Sequence, residues 1–128
     1  SNARAATFLP YDALLPKTDV YVTNGGYGGV QYALRYGVPI VTSSGQEDKP
    51  EVAARVHHVG VGIDLRTRRP TPSAIRTAVD TALTSPDIRR AATGLQHAIA
   101  TYTPLETVRT ELAATLTDHA ARTDWSPT

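Results

Sequence analysis

At 128 residues the chain has room for one compact domain that buries roughly two thirds of its unfolded surface, and none for two full domains. A net charge of +1 gives no general pull toward nucleic acid or a membrane surface, and no apolar run approaches the ~20 residues of a membrane helix. The absence of cysteine excludes disulfides and thiolate metal sites, and an N-terminus without the basic, apolar and cleavage regions of a signal peptide makes a cytoplasmic location the expectation.

Ser1, Asn2 and Ala3 read as a scar of tag cleavage. Residues 6–9 are extended in character and closed by Pro10, which biases its predecessor toward β and cannot continue a ladder. Residues 12–15 hold at most one helical turn before Pro16. Residues 20–23 are the clearest strand. It runs straight into Asn24, Gly25, Gly26, Tyr27, Gly28 and Gly29, behind which residues 30–36 carry a helical pattern stopped by Gly37, a residue suited to the left-handed position past a helix end. Residues 39–42 form the next strand, with Ser43, Ser44 and Gly45 as its turn.

A second helix starts near Lys49 or Pro50, places Val52, Ala53, Val56 and Val59 on its apolar side, and ends at Gly60. Residues 61–65 form a third strand, and residues 66–70 a basic connection. Three helices then start alike, each with a capping hydroxyl followed by proline: Thr71 with Pro72, Ser85 with Pro86, and Thr103 with Pro104. Glu106 completes a capping box with Thr103. In the last helix Leu105, Val108, Leu112 and Leu116 share one face, a core stripe by spacing. Residues 120–128 read as a frayed tail.

Strand and helix alternate, so the class is α/β, a partial Rossmann-like parallel sheet with flanking helices and a helical C-terminal segment. The glycine cluster is the feature with chemical content. Glycines at 25, 26, 28 and 29 let the backbone take φ > 0 and let a ligand approach the main chain, while the following helix offers unpaired amides and a positive dipole end. That combination favours an anion, most often phosphate. The same residues also serve as a tight turn with close helix packing.

The span 8–65 resembles the donor-binding half of GT-B glycosyltransferases, in particular the nucleotide-sugar-dependent enzymes that decorate macrolides and other antibiotics. Phe8 to Pro16 is similar to the family's aromatic-x-Pro segment leading to Leu-Leu-Pro. Residues 22–34 are similar to its Thr-His-Gly-Gly strand end and helix, and residues 45–56 to its Asp-Gln-Pro block, here Asp48, Lys49 and Pro50. The resemblance implies that residues 4–119 are an incomplete donor-binding domain of an enzyme that moves a sugar, with inversion and without an obligatory metal or other cofactor, from a UDP or TDP type donor to a small acceptor hydroxyl. Stabilising the leaving diphosphate is the central demand of that chemistry.

Carried over residue by residue, the resemblance has Phe8 and Tyr11 line the base, Asn24 with the amides of Gly25, Gly26, Gly28 and Gly29 hold the diphosphate, and Asp48 with Lys49 face the sugar. This sequence departs from the pattern in three places. Asn24 stands where the family has histidine, offering an amide donor without charge. Tyr32 stands where many relatives have a ribose-binding glutamate, and Lys49 replaces the glutamine. No catalytic residue is assigned within the chain, because the family's histidine base lies in an N-terminal acceptor domain, which would also hold the small hydrophobic acceptor. A nucleotide-sugar 2-epimerase of the same architecture and a non-catalytic nucleotide-binding or partner-binding module are the alternatives.

The remaining polar residues carry less. His57 and His58 are adjacent on a helix, about 100 degrees apart, and do not readily ligate one ion. Arg66, Arg68 and Arg69 read as a solvated basic loop. Against the doubly wound order, the strands at 6–9 and 20–23 lack neighbours, so the fragment is expected to dimerise or swap strands.

Overall fold

The structure, a computed structural model, describes residues 2–43 and 49–123. Three strands, β1 (Tyr21–Thr23), β2 (Ile40–Thr42) and β3 (Gly62–Asp64), form a parallel sheet in the order β1-β2-β3. Tyr21 pairs with Ile40 and Ile40 with Gly62, so the strands are in step. Parallel neighbours need crossovers. Here they are α2 (Tyr27–Arg35) and α3 (Lys49–Val59), and both cover one face of the sheet.

That face holds the main core, where Val30, Ala33 and Leu34 of α2 and Val52 and Val56 of α3 meet Ile40, Val61 and Leu15. Helix α5 (Pro86–Thr101) closes the same layer through Ala92, Leu95 and Ile99. On the opposite face α4 (Pro72–Thr84) sets Ala78 and Ala82 against Val41, with Val20, Ile63 and Leu65 around them. The α/β expectation therefore holds, as three layers. β2, buried along its whole length, carries Ile40 and Val41 and the buried Thr42, whose hydroxyl donates to Ile63 O.

Local chemistry explains where the helices stop. Past α2, Gly37 takes φ +67. Its amide donates to Leu34 O at 3.1 Å and the Val38 amide to Ala33 O at 3.0 Å, the paired bonds of a Schellman ending. Gly60, φ +79, repeats the device after α3, with bonds to His57 O and from Val61 to Val56 O. The starts of α4 and α5 also follow the sequence: Thr71 Oγ1 accepts from the Ala74 amide at 3.2 Å and Ser85 Oγ from the Ile88 amide at 3.3 Å.

Five expectations are corrected. Residues 6–9 form no strand; they run exposed into α1 (Tyr11–Leu14) and the 3-10 turn Leu15–Lys17. An extended segment becomes a strand only beside a partner for its backbone, and the described sheet offers none there. Helix α2 begins at Tyr27, not residue 30, so Gly28 and Gly29 are helical and only Gly25 of the cluster takes positive φ, at +85. Val59 is 52% exposed; it shares a side with Val52 and Val56 but is the last residue of α3. Helix α6 (Pro104–Thr123) carries its stripe in solvent, with Leu105, Val108, Leu112 and Leu116 55–83% exposed. Glu106 binds the Arg109 guanidinium at 2.8 Å in place of the expected capping box.

Candidate functional site

The carboxyl ends of parallel strands, where connecting loops diverge into helix starts, are where open α/β sheets bind ligands. Here β1 ends at Thr23 and the chain turns through Asn24, Gly25 and Gly26 into α2. Thr23 Oγ1 accepts the Gly25 amide at 3.3 Å, a side-chain bond that bends the backbone. Gly25 is buried, and a Cβ there would lie 3.2 Å from Lys49 O. That close approach, with the positive φ, is why the position needs glycine. It also brings the β1–α2 turn against the start of α3, so Lys49 stands beside the glycine cluster.

The first intrahelical bond of α2 runs from the Val30 amide to Gly26 O at 3.1 Å. The amides of Tyr27, Gly28 and Gly29 have no intrahelical partner, and no side chain caps this end. Gly28 is exposed and nothing would meet a Cβ there within 4 Å. Three donors and the positive dipole end thus face an accessible surface, with Asn24 exposed at the strand end and the partly buried Lys49 next to it. The Gly25 amide is already used by Thr23, which leaves the phosphate-type donors one turn further along than the cluster as a whole suggests.

The second part of the site is an open cavity of about 580 Å³ lined by Thr7, Phe8, Leu9, Tyr11, Asp12 and Tyr32 among others. Its walls are aromatic. Tyr11 meets Tyr32 edge-on with centroids 5.8 Å apart, and Phe8 is 78% exposed. Behind the wall the Tyr11 hydroxyl lies 3.0 Å from that of Tyr21. This hydrogen bond, followed by burial, raises the Tyr11 phenol above its ordinary value.

The structure therefore groups Asn24, Gly25, Gly26, Gly28, Gly29 and Lys49 at one strand end, and Phe8, Tyr11 and Tyr32 around one cavity. Asp48 lies outside the described residues. Sequence reasoning passed over Tyr21, which joins the two groups: a Cβ on Gly29 would stand 2.5 Å from its hydroxyl. The signal was present, since a tyrosine on the inward side of a strand must find a partner for its hydroxyl. His57 and His58 are both exposed, and among the described residues no three metal-binding side chains converge.

The comparisons with known proteins place this three-layer α/β fold among the GT-B glycosyltransferases. Residues 1–114 match the family described as erythromycin biosynthesis protein CIII-like, C-terminal domain, and the chain belongs to it. It is 49% identical over 89 residues, 70% of its length, to 4'-demethylrebeccamycin synthase of Lentzea aerocolonigenes, and 43% identical over 105 residues, 82% of its length, to UDP-glucosyltransferase A1 of Starmerella bombicola. It spans only 21% and 23% of those two proteins. Among solved structures, glycosyltransferase VinC in complex with DTDP superposes with a TM-score of 0.70 at 32% identity, covering 75% of this chain and 24% of that one. The spinosyn rhamnosyltransferase SpnG complexed with thymidine diphosphate gives 0.75 at 26% identity, over 85% and 30%.

Proposed function

We propose that this chain is the donor-binding part of an inverting glycosyltransferase that moves a sugar from a UDP or TDP type donor to a hydroxyl of a small hydrophobic acceptor. The observation that carries the reading is the set of three intrahelically unpaired amides, Tyr27, Gly28 and Gly29, presented beside Lys49 at the carboxyl end of β1. In this reading they and Asn24 hold the diphosphate. Fixed donors of this kind gain most when negative charge grows on the leaving oxygens, so they stabilise the transition state more than the bound donor. Lys49 adds charge at the same place, and it offsets the replacement of the family's histidine by the neutral Asn24.

The aromatic cavity takes the base and ribose. Phe8 and Tyr11 supply the apolar walls, and Tyr32 offers a phenol where a glutamate would grip the ribose diol, one hydrogen-bonding group in place of two. Asp48 is assigned with Lys49 to the sugar. DTDP and thymidine diphosphate in complex with VinC and SpnG support a nucleoside diphosphate as the ligand class. The acceptor and the catalytic base belong to another part of the protein, so the chain alone is expected to bind without turning over. No described helix is long and apolar enough to cross a membrane.

Titration of the chain with UDP, TDP and GDP, followed by amide NMR, tests the site. Shifts centred on residues 26–29 and on the cavity walls, strongest for one base, are expected. A folded chain whose amides move with none of the three at millimolar concentration would overturn the donor-site reading.

A further inference from the structure

The two halves of the proposed site come from different elements. Most of the cavity wall stands on α1 and the segment before it, with Tyr32 contributed by α2; the amides stand at the start of α2, and Tyr21 touches both Tyr11 and Gly29. Its ring meets Tyr11 edge-on at 5.9 Å, its hydroxyl shares a hydrogen bond with Tyr11 at 3.0 Å, and that hydroxyl packs against Gly29 so closely that a Cβ there would stand 2.5 Å away. Tyr21 itself is anchored in the sheet: its amide donates to Pro39 O at 2.9 Å and it pairs with Ile40. Tyr11 in turn meets Tyr32, on the turn of α2 next after Gly28 and Gly29.

We propose that Tyr21 is a positioning residue that fixes the spacing between the aromatic cavity and the glycine amides, so that base and diphosphate are recognised as one unit. The proposal rests on the donor-site reading above. Its physical basis is preorganisation: a bound nucleotide spans both parts, and any relative motion of α1 and the start of α2 must be suppressed on binding at a cost in affinity. A rigid ring with one hydrogen bond at its tip removes that motion beforehand. Gly29 follows from the same contact, since only a residue without a side chain lets the phenol reach Tyr11 past the first turn of the helix.

The test uses the 128-residue chain and its Tyr21→Phe and Tyr11→Phe variants, with dissociation constants measured for TDP, UDP and inorganic pyrophosphate. Loss of one hydrogen bond between the subsites should weaken nucleoside diphosphate binding about three- to tenfold. Pyrophosphate, which needs the amides alone, should bind the variants within twofold of the parent. Tyr11→Phe, which removes the same bond from the other side, should match Tyr21→Phe, and the double variant should lose no more than either. Equal losses for pyrophosphate and nucleotide, or unchanged nucleotide affinity in both variants, would overturn the proposal alone. Failure of the unsubstituted chain to bind TDP or UDP would overturn the donor-site reading and this inference with it.

Discussion

Two residues show how tightly single positions are set. Gly62 lies where β3 passes β2, and a Cβ there would run into Ile40 O and the Val56 side chain. Backbone cannot yield as a side chain can, so Gly62→Ala is expected to destabilise the fold by about 3 kcal/mol, read as a lowered denaturation midpoint. Tyr36 is set by a bond. Its hydroxyl donates to Asp12 Oδ1 at 2.8 Å, tying α1 to the end of α2, and the carboxylate beside it raises the phenol above its ordinary value. A phenol whose folded pKa exceeds its unfolded value of about 10 contributes fully below that pH, and the contribution is lost as pH rises through the folded value. The stability difference between the parent and Tyr36→Phe should therefore be constant from pH 7 to 9 and shrink above pH 10. Denaturant titrations at pH 8 and pH 11 check this, and a difference that grows with pH would contradict it.

Among elements, α2 and α6 form a contrast. Both show apolar residues at helical spacing, yet Leu34 of α2 is 7% exposed and Leu112 of α6 is 59% exposed. Leu34→Ala removes buried contacts and should cost about 2–5 kcal/mol, a large share of a small domain's stability. Leu112→Ala should cost less than about 0.5 kcal/mol in this chain, and parallel thermal melts separate the two. The same contrast marks what was legible in the sequence. The three strands of the sheet were readable from their β-branched runs, though the strand expected at residues 6–9 was not formed, and helix ends were readable because local chemistry dictates them, as at Gly37, Gly60, Thr71 and Ser85. The fate of the α6 stripe was not, because periodicity says which residues share a face and nothing about what covers it. The start of α2 was misplaced for a related reason: Gly28 and Gly29 have poor helix propensity, and the close fit of Gly29 against Tyr21 is a tertiary contact that propensity does not contain. In the candidate site, the phosphate-type turn was visible from its glycines and the cavity residues through family resemblance. The Tyr11–Tyr21 link joins residues of two elements and became visible only with the fold.

At the scale of the whole molecule, the sheet has an open side. In a parallel ladder alternate residues bond to alternate neighbours. Tyr21 and Thr23 bond to the β2 side, through the Tyr21 amide to Pro39 O and the Ser43 amide to Thr23 O, so the amide and carbonyl of Val22 lie on the side away from β2. No described strand occupies that side, and the Val22 side chain is 48% exposed. An unpaired edge with an apolar residue at its centre is a template for another strand. The chain is therefore expected to self-associate through β1 in the micromolar range, with a mass in sedimentation that rises with concentration. Val22→Lys places a charge on that edge while leaving the β1–β2 bonds intact, and should return the chain to a monomer with little change in its low-concentration melting temperature. A parent that stays monomeric throughout the micromolar range would show that the edge is protected. If both chains associate equally, the contact lies elsewhere, and the exposed leucines of α6 become the surface to substitute next.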